Sequence, residues 1–302
     1  MYGLDYMSAG AYNIIVVIVA FVVMFIGSIT DLQKREVADW INYGLFFGAI
    51  GLRLLYSAIT LNPMVLLDGF AGFVIFTIFG LGMFYLGQWG GGDAKMIIGL
   101  GTLFGLKIIP LSLYNIIDGM LVAFLINSLL AGAVYGLAWS GLAVYRNRVK
   151  FMKNWIKINK KHNKYKIASW IVGLILLIAG FVFMQASFLF VPLGVMVIVL
   201  FYSYLFTKSV EKGCMVFQMP ISELTEGEWI EKDVKVKGKY ICGPKDLGIS
   251  KKQIALLKRL KVKKIAVKIG IPFVPSFFLG FILTFFFGNL FLEFVRAVLV
   301  YM

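Results

Sequence analysis

The stretch Gly90-Gly91-Gly92-Asp93-Ala94-Lys95 lies between two long apolar runs, with Leu86-Gly87-Gln88-Trp89 before it and Met96-Ile97-Ile98 after it. Three successive glycines permit a turn in which side chains would clash, and they deliver an aspartate to the next apolar segment. The plainest reading is a helix start, since Asp is a favoured N-cap and glycine is ordinary loop before it. A second aspartate weighs against stopping there. Asp31 falls where the first apolar run meets water, in Gly27-Ser28-Ile29-Thr30-Asp31-Leu32-Gln33-Lys34-Arg35-Glu36. The two carboxylates are placed at one membrane face, and the rest of the chain reads outward from them.

Of 302 residues, 60% are hydrophobic and 28 are Phe, with a mean hydropathy of +0.88. Soluble domains are nearer half apolar, so most of this chain belongs in lipid. The formal charge of +15 does not point to nucleic acid. Its basic residues cluster between apolar spans rather than along one face, which suits anionic lipid headgroups. Cys214 and Cys242 are far apart with no C-x-x-C, which excludes a disulfide framework and a cysteine zinc site. The single histidine, His162, sits in a lysine-rich run as a solvated residue. No metal and no cofactor are expected.

Taken in order, the chain predicts about eight transmembrane helices. Tyr12–Thr30 is long enough to cross ~30 Å of hydrocarbon at ~1.5 Å per residue. Lys34 and Arg35 follow it, so the positive-inside rule puts the N-terminus outside and Asp31 at the cytoplasmic end. A cleavable signal is not expected, for want of a basic start and a small-residue cleavage site. Further spans are expected near Trp40–Ile59, where Arg53 snorkels, and near Val65–Leu86. A fourth begins at Asp93, its outer half interrupted by Lys107 and Pro110, and a fifth covers Met120–Tyr145. Asp68 and Asp118 read as markers of the outer ends. The basic run Arg146–Lys166 is the strongest cytoplasmic marker. Val149–Ile158 within it reads either as an amphipathic helix on anionic headgroups or as a solvated loop. Ala168–Phe206 makes a hairpin of two spans turning at Met184-Gln185-Ala186-Ser187.

Residues 207–268 then read as a small cytoplasmic α+β insert. Strand-like stretches are Trp229–Lys237, Tyr240–Cys242 and Lys263–Val267, with a helix over Ser250–Leu260. Ile271–Leu292 supplies the last span. The expected organisation is a catalytic membrane core at 1–145, a basic linker at 146–167, the hairpin at 168–206, the module at 207–268 and the final helix at 269–302. The fold class is an all-α polytopic membrane protein with that insert.

Two carboxylates sharing one proton can activate a water and protonate a leaving amine, which is what metal-free peptide hydrolysis requires. They titrate as a unit. Helix-dipole reasoning makes Asp93 more often the base and Asp31, at a helix end, the acid. With one histidine in a basic loop, Ser-His and Cys-His systems fail on inventory. Glu36 and Asp39 flank Asp31 and read as hydrated loop residues or as acceptors of substrate charge.

These residues resemble the membrane aspartyl peptidases with a G-x-G-D pattern, here Gly90-x-Gly92-Asp93. Asp31-x-x-x-Arg35-Glu36-Val37-x-Asp39-Trp40 is similar to the first-aspartate region of prepilin peptidases, the archaeal preflagellin and prepilin branch above all. The resemblance covers roughly 11–145 and extends weakly to Gly270-Ile271-Pro272-Phe273-Val274-Pro275. It implies that Asp31 and Asp93 are catalytic, with Gly90, Gly91, Gly92 and Lys95 as the supporting loop. It also implies removal of a short basic leader from archaellin or type IV pilin-like precursors at the cytoplasmic membrane. The paired C-x-x-C motifs of bifunctional bacterial members are absent, so methyl transfer is not implied. Ala38-Asp39 stands where bacterial members often carry Pro-Asn. Two alternatives compete: an intramembrane protease of the presenilin or signal-peptide-peptidase type, and a non-enzymatic transporter or scaffold. The first lacks a Pro-Ala-Leu motif, and the second lacks midplane acids and repeated halves.

Overall fold

The computed structural model describes residues 2–106, 119–236 and 238–300. They fold as a polytopic helical membrane protein. Among them, six helices are long and apolar enough to cross a bilayer. These are Gly10–Lys34 within α1 (Tyr2–Lys34), α2 (Asp39–Thr60), α3 (Met64–Tyr85), α5 (Met120–Arg146), α7 (Asn163–Val182) and Met184–Cys214, which ends in α8 (Ser187–Cys214). A bent pair, α10 (Val274–Phe287) and α11 (Leu290–Val300), makes a seventh span if counted as one. The expected fourth span is present as the 14-residue α4 (Gly91–Phe104). Lys107, Pro110 and Asp118 lie outside the described residues.

The chain divides into two compact units, Met1–Gly136 with Gly270–Met302, and Leu137–Ile269. In the first unit α4 is central, with nine of its fourteen residues buried. Ile97 and Leu100 of α4 meet Met24 of α1, Leu45 of α2, Phe76 of α3, Phe124 of α5 and Phe277 of α10 in one core. Its far end is tied down by Arg53, and here the expectation of a snorkelling arginine fails. Arg53 is 4% exposed. Its Nε donates to the Thr102 carbonyl at 2.6 Å, and Nη2 to that of Leu103 at 3.1 Å. Nη1 reaches the Val65 carbonyl at 2.6 Å and Asp68 Oδ2 at 3.3 Å. The last carbonyls of a helix lack intrahelical partners, and a cation satisfies both them and the dipole. Asp68 is therefore more than an end marker. Its Oδ1 accepts the Leu106 N–H at 3.1 Å.

The expected final span is broken rather than continuous, with a 49° bend between α10 and α11. Gly288 adopts φ +65°, which glycine accepts without strain. The freed backbone groups are taken by Asn127 of α5, which donates to the Gly288 carbonyl at 2.7 Å and accepts the Leu290 N–H at 3.3 Å. Unsatisfied groups at such a depth would be costly, so the break needs that side chain.

In the second unit the basic run is helical: α6 (Arg148–Lys161) packs Phe151 on Phe206 of α8 and buries Ile158. Val149, Met152 and Ile156 on its other side are exposed. The hairpin turns through Met184–Ala186 as expected. After it, β1 (Val216–Pro220), β5 (Lys264–Lys268) and β2 (Trp229–Ile230) form an antiparallel sheet in the order β1-β5-β2. β3 (Val234–Val236) and β4 (Lys239–Cys242) form a hairpin, and α9 (Lys251–Arg259) starts at a capping box of Ser250 and Gln253. The strand β1 had no counterpart in the sequence reading, because Val216-Phe217-Gln218-Met219-Pro220 is short, lacks a two-residue alternation and ends in proline. Ile230, Cys242, Leu257 and Val267 lie in a core of the module's own.

Candidate active site

Asp31 occupies the last turn of α1, and it is 4% exposed rather than at the water boundary. One turn earlier, Gly27 faces the same way. A Cβ there would fall on Met96 of α4 and, at 3.4 Å, on Val274 of α10. Asp31 is thus directed into the seam between α4 and α10. Its Oδ2 accepts the N–H of Val274, the first residue of α10, at 2.9 Å. The first N–H groups of a helix lack internal partners and favour an anion. Beyond Asp31, Arg35 closes α1 in the left-handed region at φ 57°, its N–H bonded to the Asp31 carbonyl at 2.8 Å.

Asp93 is the third residue of α4, and Gly90 is the N-cap. Its Oδ2 reaches back to accept the Gly90 N–H at 2.9 Å. This is the carboxylate half of a capping box, with glycine where the hydroxyl residue usually stands. The plain N-cap reading is displaced by three residues. Gly92 lies against the chain between α1 and α2, where a Cβ would meet Val37 at 3.2 Å. Asp93 and Asp31 are close enough for one charge to act on the other. The dipole asymmetry expected between them is offset at Asp31, which takes a backbone N–H at the start of α10 although it sits in the last turn of α1.

The two seats are joined by Trp89, which is 3% exposed. Its ring meets Phe277 edge-on at 5.3 Å and Phe273 at 5.5 Å, both at the start of α10, and Phe79 of α3 at 5.4 Å. The glycine loop carrying Asp93 is thereby fastened to the helix end that holds Asp31. Sequence reasoning quoted Trp89 without giving it a task. Its signal was a large aromatic beside three glycines at a membrane boundary.

Asp31, Trp89 and Asp93 fall inside a segment with recognisable relatives, whereas Phe273, Val274 and Phe277 lie beyond it. Residues 18–137 match the type IV leader peptidase family. The preflagellin peptidase of Methanococcus maripaludis is 44% identical over 82 residues, which are 26% of this chain and 34% of the relative. Those of Methanocaldococcus jannaschii and Methanococcus voltae are 34% identical over 86 residues and 36% over 80. These cover 28% and 26% of this chain, and 36% and 34% of the relatives. The matched stretches span about a third of the length of these curated relatives. No solved structure matches the chain. The resemblance read from the G-x-G-D pattern is borne out.

Of the other expected residues, Lys95 pairs with Asp39 at 2.6 Å and lies 5.3 Å from the centre of the Tyr43 ring. Asp39 opens α2, and Glu36 is exposed in the turn before it. Gly91 begins α4. The site thus draws on α1, the α1–α2 turn, the glycine loop, α4 and α10.

Proposed function

We propose that this chain is an aspartic endopeptidase that removes the short basic leader of archaellin or type IV pilin-like precursors. Asp31 and Asp93 are its catalytic pair. The observation that carries the reading is their convergence from different helices, each held by a backbone N–H, within range of each other's charge. The family match and the named relatives support the same reaction class.

In this reading the pair holds one proton. The ionised carboxylate takes a proton from a water, whose oxygen bonds to the scissile carbonyl carbon. The other carboxylic acid gives its proton to the carbonyl oxygen, leaving a neutral gem-diol. The C–N bond then breaks, the amine nitrogen takes a proton from the newly protonated carboxyl, and the gem-diol returns one to the other. Acid and base exchange roles within a cycle, as expected of two equivalently seated carboxylates. Asp31→Asn and Asp93→Asn should each lower processing of a preflagellin at least about a hundredfold, the scale of acid–base catalysis. Insertion and thermal stability should stay near wild type. Substantial cleavage by either variant removes that residue from the pair.

The site is assigned to the cytoplasmic face of the cytoplasmic membrane, from Lys34, Arg35 and the run Arg146–Lys166, with α6 against anionic headgroups. The basic linker and the module at 207–268 share that side. The native thiols cannot test this, because Cys214 and Cys242 are buried. Burial, with the Asp246 charge adding, also pushes the Cys242 thiol up to about 11, leaving little reactive thiolate. Lys160 and Lys239 are exposed, so cysteines introduced there are the probes. An impermeant maleimide should label both only after permeabilisation. Labelling in intact cells would reverse the topology.

A further inference from the structure

Helix α5 runs antiparallel along α10, with its small and polar residues on the shared face. Asn127 donates to Thr284 Oγ1 at 3.0 Å. A Cβ at Gly280 would fall on Ser128, and one at Gly132 would meet the Phe273 ring at 3.0 Å and Ser276 at 3.4 Å. Moving up α5 therefore means moving down α10 toward its first residue. Positions 128 and 132 are one turn apart, and the next turn on that face brings in Tyr135. Gly132 already lies against Phe273, the residue before α10, so position 135 falls beyond the start of that helix. The Tyr135 ring is half-buried, its hydroxyl oxygen is enclosed, and it interacts electrostatically with Asp31.

We propose that Tyr135 is a further catalytic residue of the Asp31–Asp93 site, whose phenol O–H donates a hydrogen bond to the scissile carbonyl oxygen as the tetrahedral intermediate forms. This rests on the aspartic endopeptidase reading. The backbone N–H of Val274 is committed to Asp31 and that of Gly90 to Asp93. Lys95 is engaged by Asp39. A side-chain donor for the carbonyl oxygen can come from α5, and a tyrosine suits this boundary. Its ring fits apolar helix packing while its tip stays polar. Phenols ionise near pH 10, so the donor persists wherever the carboxylates work. The tyrosine keeps its proton throughout, and proton transfer to the carbonyl oxygen stays with the carboxylic acid.

The test is Tyr135→Phe in the full-length protein, assayed on a preflagellin beside Asp31→Asn and Asp93→Asn. Loss of one such donor costs about 10²- to 10³-fold in kcat. A fall of at least tenfold in kcat is expected, with KM within twofold and unchanged thermal stability. The limbs of the pH–rate profile should stay in place while its height drops. 3-Fluorotyrosine at position 135, which keeps ring and donor, should hold activity within threefold of wild type, and this arm stands even if the Phe variant misfolds. A kcat within threefold of wild type for Tyr135→Phe overturns the proposal. So does a displaced acid limb, which would mean that the hydroxyl acts on Asp31 rather than on substrate. Cleavage by either Asn variant would instead strike the carboxylate pair, whatever Tyr135 does.

Discussion

Asp93 is held by a backbone N–H three residues away, and Asp31 by one 243 residues away. The bonds are the same length, 2.9 Å, and each comes from the start of a helix. What differs is how much of the chain must fold to make them. The Asp93 seat is written into Gly90–Asp93 and forms with the first turn of α4. The Asp31 seat exists only after α10 has docked against α1 and α4. A chemically matched pair is therefore built from one local and one long-range support. Its integrity depends on what couples the two.

Trp89 is that coupling, and its removal is the largest perturbation the comparison suggests. Trp89→Ala should cost about 3–5 kcal/mol, as for truncation of other buried aromatic side chains. Cleavage should fall more than tenfold even at temperatures where the variant remains folded. Trp89→Phe, which keeps an aromatic ring against Phe273 and Phe277, should recover most of both. Thermal unfolding in detergent and a processing assay give the two readouts. Full activity in a folded Trp89→Ala protein would mean that the seats are independent.

The same division explains what could be read from sequence. Asp93, its glycines and most span boundaries were legible, because apolar length and turn chemistry are local signals. Asp31 was legible too, from its place where the first apolar run ends, and the resemblance implied its catalytic role. Its support by Val274 was not legible, since no pattern within a few residues of Asp31 points 243 positions downstream. Arg53 was misread for that reason. A lone arginine near a helix end looks like a snorkelling residue until the carbonyls of Thr102 and Leu103 are brought to it. The broken final span was hidden likewise, because the residue that satisfies it, Asn127, lies on α5. In the module, α9 was legible from its apolar spacing, whereas β1 is defined by pairing Val216–Pro220 with Lys268–Lys264.

The smallest expected effect concerns the exposed rim of the site, where neither kind of support is at stake. A basic leader approaching this face meets a strongly basic chain, with +15 overall. Glu36 and Asp39, in the turn after Asp31, are the nearest acids able to receive it. Asp39 is already paired with Lys95, with the two side chains 66% and 45% exposed. A leader lysine would have to share or displace that partner. Exposed pairs contribute up to about 1 kcal/mol, or roughly fivefold in binding. Neutralising both acids, as Glu36→Gln with Asp39→Asn, should raise KM for a Lys/Arg leader several-fold and leave kcat nearly unchanged. Replacing the leader lysine by Gln should shrink that effect, because the interaction being removed is then already missing. Lys95→Met should act in the opposite direction, freeing Asp39 and lowering KM for the basic leader. Equal losses on both leaders would make these acids supports of the α1–α2 turn and end their role in recognition. An unchanged KM in Lys95→Met would leave Glu36 as the acid that meets the leader.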